Sequence, residues 1–168
     1  GTLDTKGEEY AYVRDLIRGN GHEVLIMDCG VLDEPAAGLE PDVEAAQVAR
    51  AGGDTLESLR AREDRGYAMD VMTEGVCSET VRLYGEGAID GVLALGGGGG
   101  TAVATAAMRE LPVGIPKVMV STVASGDVEP YVGVKDVTMM YSVVDIAGLN
   151  AISREILGNA AGAISGMV

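Results

Sequence analysis

Five consecutive glycines, Gly96-Gly97-Gly98-Gly99-Gly100, followed by Thr101, constrain this chain more than any other stretch. The run follows the apolar segment Gly91-Val92-Leu93-Ala94-Leu95 and precedes the alanine-rich segment from Ala102 to Met108. That order reads as a buried strand, a glycine loop and a helix. Ordering glycine costs more chain entropy than ordering any other residue, so five in a row point to something only glycine provides. Here that is backbone close to a ligand, with N–H groups and a helix N-terminus aimed at negative charge. A phosphate is the natural occupant; a tight, close-packed turn without a ligand is the alternative. No lysine follows the glycines, so the Gly-x4-Gly-Lys-Ser/Thr phosphate loop is excluded. A Gly-x-Gly-x-x-Gly match is automatic in any glycine run and says little about a dinucleotide.

The 168 residues suit one domain with a real core, and 47% of them are hydrophobic, yet Phe and Trp are absent. The core is therefore built from Val, Leu, Ile, Met and Ala. A formal charge of −14 argues against a nucleic-acid backbone or an anionic membrane surface as the main partner. Any anion site must then be local, made of backbone amides and a few placed cations. No apolar stretch reaches transmembrane length and no signal peptide is visible, so a cytoplasmic domain is expected. Cys29 and Cys77 read as reduced thiols there. With His22 alone and no paired cysteines, a zinc site is not expected.

Strand and helix patterns alternate. Gly1 to Lys6 reads as the end of a strand and a turn, with the first strand itself missing. Thr5 and Glu8 have capping-box spacing and open a helix carrying Tyr10, Val13, Leu16 and Ile17, stopped by Gly19-Asn20-Gly21. Glu23–Cys29 reads as a strand and 30–41 as a loop. A weaker helix runs from Asp42 to Ala51, and two helical pieces span Asp54 to Tyr84. Gly91–Leu95 and Lys117–Thr122 are further strands, Val137–Val143 the last one, and Ile146–Val168 the closing helix. The expected fold is α/β, a Rossmann-like three-layer sandwich with a mostly parallel sheet, in which Glu23–Cys29, Gly91–Leu95 and Lys117–Thr122 are neighbours. Ligands in such sheets sit beyond the carboxyl ends of the strands. Asp4-Thr5-Lys6, Asp28, the glycine loop, Ser121-Thr122, Ser125-Gly126-Asp127 and Asp145 all fall at that edge.

Four stretches carry a family resemblance: Gly1 to Glu9, Leu95 to Thr101, Gly114 to Gly126, and Tyr141 to Asn150. Together they resemble the family of bacterial, fungal and plant proteins that share the ATP-binding N-terminal domain of the tomato tobamovirus-resistance protein. The resemblance covers essentially the whole chain, with the motifs in order. It implies a Rossmann-like subdomain that binds ATP with Mg²⁺ at its strand ends, often as a dimer. The family domain begins with a strand before Gly1 and continues past Val168 into a second α/β subdomain, so residues 1–168 correspond to a single first subdomain. The contacts implied are Asp4, Thr5 and Lys6 in the first loop, and Arg65. Gly97, Gly98, Gly99, Gly100 and Thr101 would hold phosphates, joined by Thr122, Ser125, Gly126, Asp145 and Asn150. Members commonly carry a serine within the glycine loop, where this chain has only glycine.

Each residue has a plainer reading beside the functional one. Lys6 is either a phosphate contact or a solvated first-turn residue, and Arg65 is either a ligand or part of a charged surface run. Asp28 either accepts a ribose hydroxyl or caps the next turn. Asp127 and Asp145 either hold Mg²⁺ or serve as turn and cap residues. Ser125 lacks a histidine base and is not expected to be a nucleophile. Gly158, Gly162 and Gly166 mark a close-packing face on the closing helix, expected to be buried with Ala161 and to join a homodimer. The expected function is a nucleotide-binding module, regulatory in character, with a protein partner admitted and no direct nucleic-acid or membrane partner. An ATP-dependent phosphoryl-transfer or hydrolytic enzyme is the alternative, and a nicotinamide-dependent oxidoreductase the third.

Overall fold

A computed structural model describes residues 1–35 and 39–168; positions 36–38 of the expected 30–41 loop lie outside the described residues. The elements in chain order are α1 (Leu3–Gly19), α2 (Ala45–Ala51), α3 (Leu56–Arg62), α4 (Arg65–Gly85), β1 (Val92–Gly96), α5 (Gly98–Glu110), β2 (Lys117–Ser121), α6 (Glu129–Val132), β3 (Thr138–Tyr141) and α7 (Ala151–Met167). The three strands form one parallel sheet in the order β1-β2-β3. Val92 pairs with Lys117 and Gly96 with Ser121; Val118 pairs with Thr138.

Alternation along the strands builds a Rossmann-like α/β sandwich. Leu95, Val118 and Val120 face α1 and α7, packing on Leu3, Tyr10, Val13, Leu157 and Ile164. Ala94 and Met119 face the other way, onto Met108 of α5. Outside α5 lie α4 and then α2, joined through Val103, Ala107, Val71, Met72 and Val48. The α2–α4 crossing is unusually close. A Cβ on Gly75 would stand 2.0 Å from the Val48 carbonyl oxygen, and one on Gly52 would stand 2.0 Å from that of Val71.

Several expected elements differ. Glu23–Cys29 is extended but is not a strand of the sheet; Met27 forms an isolated parallel bridge with Val43. The Gly1 amino group donates to Met27 O (2.7 Å), and Cys29 N–H donates to Gly1 O (2.8 Å). A cavity of about 770 Å³ separates this segment from β1, lined by Val24, Leu25 and Ile26 on one side and Val92, Leu93 and Ala94 on the other. On that edge of β1 the Tyr10 hydroxyl donates to Leu95 O (3.0 Å) and accepts from Leu95 N–H (2.9 Å). Extended propensity becomes a strand only where a ladder partner is within reach, and here a side chain takes that place.

Helix starts also differ. The Thr5–Glu8 capping box is not formed. α1 opens three residues earlier, with Thr2 rather than Thr5 as N-cap, and the N–H of Leu3 donates to Asp28 Oδ1 (3.1 Å), so a carboxylate distant in sequence replaces the local cap. The Asp42–Ala51 helix shortens to Ala45–Ala51, because Asp42 instead accepts from Ile26 N–H (2.7 Å). The closing helix starts at Ala151 rather than Ile146, behind a capping box of Asn150 and Ser153. Its buried face is Leu157, Ala160, Ala161 and Ile164. A Cβ on Gly158, Gly162 or Gly166 would meet nothing within 4 Å, so that glycine face is uncovered by the described residues.

Candidate functional site

The glycine run ends β1 and starts α5. Gly97 is the N-cap with φ −84°, and none of Gly96 to Gly100 has a positive φ. The backbone conformation therefore does not demand glycine. Gly96 is explained by packing, since its Cβ would stand 3.0 Å from Gly100 Cα. Gly98 and Gly99 are exposed. A Cβ on Gly98 would meet nothing, and one on Gly99 would make an ordinary contact with Met69 Cε at 3.5 Å. The first-turn N–H groups of α5 have no intrahelical partner by construction, and among the described residues no side chain caps them. The result is an open, positively polarised face with room against its backbone.

Thr101 does not point at that face. Its side chain is fully buried; the hydroxyl donates to Gly97 O (2.7 Å) and lies 2.6 Å from Ser121 Oγ. Ser121 Oγ accepts from Val123 N–H (3.2 Å), which leaves its own proton for Thr101. This chain of hydroxyls ties the glycine loop to the turn after β2. Thr122 N–H donates to Gly96 O (3.1 Å), and Thr122 Oγ1 lies 3.6 Å from the position of a Gly97 Cβ. Ser125, Gly126 and Asp127 follow on the exposed turn, where Asp127 Oδ1 accepts from Glu129 N–H (3.0 Å) and starts α6.

The first and last loops meet at the same edge. Lys6 Nζ donates to Ile146 O, and Lys6 itself has non-helical angles (φ −131°, ψ 24°) that kink α1. Glu9, 1% exposed, accepts from Gly148 N–H (2.6 Å). Together these two side chains hold the loop carrying exposed Asp145. Asn150 Oδ1 accepts from Ser153 N–H (3.0 Å) and caps α7. Thr5 is exposed with its hydroxyl 3.0 Å from Thr2 Oγ1. Asp4 Oδ2 accepts from Leu32 N–H (3.2 Å), whereas its Oδ1 is buried without a hydrogen-bond partner among the described residues.

Asp28 is 2% exposed and accepts from Leu3 and Gly30 N–H groups through Oδ1. Burial raises its pKa, and those two donors offset only part of that rise. This is the turn-capping arrangement. Arg65 is exposed in the first turn of α4. Met69, which reaches Gly99, lies one turn later on the same helix face, so Arg65 is on the side of α4 turned toward the glycine loop.

Sequence reasoning gave no role to Glu9 or to Tyr10 as an edge clasp, and it placed Ser121 at the strand-end edge without seeing its tie to Thr101. Glu9 had a signal: it lies four residues before Val13, on the apolar stripe of α1, where a carboxylate needs a buried partner. Among the described residues, no group of three or more His, Cys, Asp and Glu side chains is placed to hold a metal ion. A Mg²⁺ ion would therefore rest on one or two carboxylates and on the ligand's own oxygens. Unpartnered Asp4 Oδ1 and exposed Asp145 are chemically suited to that. No helix among the described residues is long and apolar enough to cross a membrane.

Comparison with known proteins agrees with the motifs. The family described as "Uncharacterised protein family (UPF0261) N-terminal domain" matches residues 1–168. A UPF0261 protein of Clostridium tetani is 54% identical over 168 residues, covering 100% of this chain and 41% of that protein. A UPF0261 protein of Rhizobium meliloti is 44% identical over 167 residues, covering 99% of this chain and 40% of its own length. The ToMV resistance protein Tm-1(GCR237) of Solanum lycopersicum is 45% identical over 104 residues, covering 62% of this chain and 14% of that protein. The chain thus spans about two fifths of the length of its bacterial relatives. Matched across residues 1–168, this chain belongs to the UPF0261 family and corresponds to its N-terminal domain.

Proposed function

We propose that this domain binds ATP with Mg²⁺ at the carboxyl edge of its sheet, as a binding or regulatory module of a cytoplasmic protein. One observation carries the reading. Gly98 and Gly99 are required neither by backbone angles nor by neighbouring atoms, yet they lie on the open N-terminal turn of α5. A ligand pressed against that backbone supplies the missing reason, and a phosphate suits its donors. With a net charge of −14, long-range attraction of an anion is unfavourable, so local amides must provide the affinity. Lys6 and Arg65 are the nearby cations, and Asp4 and Asp145 would take the metal, which supplies charge neutralisation of the phosphates when bound. Asp28, Thr101, Asn150 and Asp127 serve by shaping the loops. Thr5, Thr122, Ser125 and Gly126 border the ligand.

Isothermal titration with ATP, ADP and NAD, each with and without Mg²⁺, tests the reading. Saturable, Mg²⁺-strengthened binding of ATP over NAD is expected. Absence of binding by both adenine phosphates would reduce the glycines to a packing device. Phosphate release from bound ATP would favour the phosphoryl-transfer alternative.

A further inference from the structure

Two hydroxyls lie behind the glycine loop, on Thr101 and Ser121, and both residues are fully buried, out of reach of any ligand on the loop. We propose that Ser121 is a positioning residue. Through Thr101 it holds the peptide between Gly97 and Gly98 with its N–H turned outward, and it locks that peptide to the turn after β2. The proposal rests on the phosphate reading of the glycine loop and names what keeps that loop in its binding shape.

The partners fix the direction of each proton. Val123 N–H donates to Ser121 Oγ (3.2 Å), which leaves the Ser121 proton free to be given onward. Thr101 Oγ1 gives its own proton to Gly97 O (2.7 Å) and accepts from Ser121 Oγ at 2.6 Å. A one-way chain results, from Val123 N–H through Ser121 and Thr101 to Gly97 O. Hydrogen bonds aligned in this way polarise one another, and the low dielectric of a buried site strengthens them.

The chain ends on the carbonyl that sets the character of the loop. No peptide bond among the described residues is cis, so Gly97 C=O and Gly98 N–H point opposite ways from one plane. With the carbonyl drawn inward to Thr101, the N–H faces out of the start of α5, where Gly98 is exposed. Glycine on both sides makes rotation of that plane cheap. A rotated plane would turn a carbonyl oxygen toward an arriving anion.

Ordinary helix bonding accounts for only part of this arrangement. Gly97 O already accepts from Thr101 N–H (2.8 Å), the first bond of the helix, so the hydroxyl is a second donor to the same oxygen. Threonine bonding back four residues is common, and Thr105 does the same to Thr101 O (2.8 Å). Among the described residues the Thr105 hydroxyl reaches only its own helix, whereas that of Thr101 is gripped from another segment. Because Val123 heads the turn that carries Ser125 and Gly126, the glycine loop and that turn are held as one unit.

The test compares wild type, Ser121→Ala, Thr101→Val, Thr101→Ser and the double variant Ser121→Ala/Thr101→Val. Each is titrated with Mg²⁺-ATP, and the NMR amide signals of Gly98 and Gly99 are followed without ligand. Loss of one hydrogen bond predicts about fivefold weaker binding in Ser121→Ala and in Thr101→Val. The double variant should bind no more weakly than the weaker single variant, because either change breaks the same chain. Thr101→Ser keeps the hydroxyl and should bind as wild type, and Ser121→Ala should shift the Gly98 amide signal. An unchanged affinity in Ser121→Ala, a double loss equal to the product of the single losses, or Thr101→Ser as weak as Thr101→Val would overturn the positioning role and leave the phosphate site standing. A wild type that binds no ATP overturns both readings. Ser121→Ala removes one atom and leaves the backbone tie from Thr122 N–H to Gly96 O (3.1 Å), so it decides alone if Thr101→Val does not fold.

Discussion

Replacing Gly98 and Gly99 together by alanine separates the two meanings of the glycine run. Neither residue has a positive φ, so alanine takes up the existing backbone without strain. The new methyl at position 98 meets nothing, and the one at 99 touches the flexible end of Met69 at 3.5 Å. Glycine to alanine within a helix is worth up to about 1 kcal/mol, and the first turn gains less than the interior. The pair should therefore stabilise the domain by about 1 kcal/mol, a rise in Tm of about 2–4 °C for a chain of this size. A ligand resting against this backbone would meet the same methyls. ATP should then bind at least about tenfold more weakly, a loss of about 1.4 kcal/mol. Thermal unfolding followed by circular dichroism, and calorimetric titration with Mg²⁺-ATP, read the two quantities on one sample. Raised stability with unchanged affinity would refute a phosphate resting on this backbone. Lowered stability would refute the packing account on which the prediction stands.

Gly75→Ala drives a methyl into the Val48 carbonyl oxygen at 2.0 Å, a backbone atom that cannot turn aside; denaturant melts should show a loss of about 3 kcal/mol. Lys117 is fully buried, and its Nζ donates to Asp136 Oδ1 (2.8 Å), which with the Gly114 N–H lowers the Asp136 pKa from 3.8 to about 2. A carboxylate depressed in the folded state stabilises the fold above about pH 4 and loses that contribution as pH falls through about 2. Asp136→Asn should accordingly be less stable than wild type at pH 7 in urea titrations, with the difference closing at the acid end. The uncovered Gly158-Gly162-Gly166 face is the surface expected to serve a homodimer. Gly162→Leu should shift sedimentation toward monomer, and a wild type that is already monomeric would remove that expectation.

Much of the fold is legible in the sequence where the information is local. Helical spacing locates α1, α4, α5 and most of α7, and the apolar runs at 92–96 and 117–121 become paired parallel strands. Because a parallel sheet gathers its strand ends at one edge, the loops carrying Lys6, Gly97 to Gly100, Thr122 and Asp145 could be assigned to one region from pattern alone. What the pattern could not carry is direction and partnership. Thr101 reads as a ligand hydroxyl at a helix start, yet Gly97 O and Ser121 draw it inward. Asp28 reads as a strand-end acid and is spent on capping α1, while the local cap at Thr5 goes unused. Glu23–Cys29 has strand composition but pairs only where Gly1 and Val43 come within reach. Periodicity follows from side-chain burial, which each segment records in its own residues. Hydrogen bonds between segments depend on which groups the finished packing brings within about 3 Å of one another, and only the tertiary structure decides that.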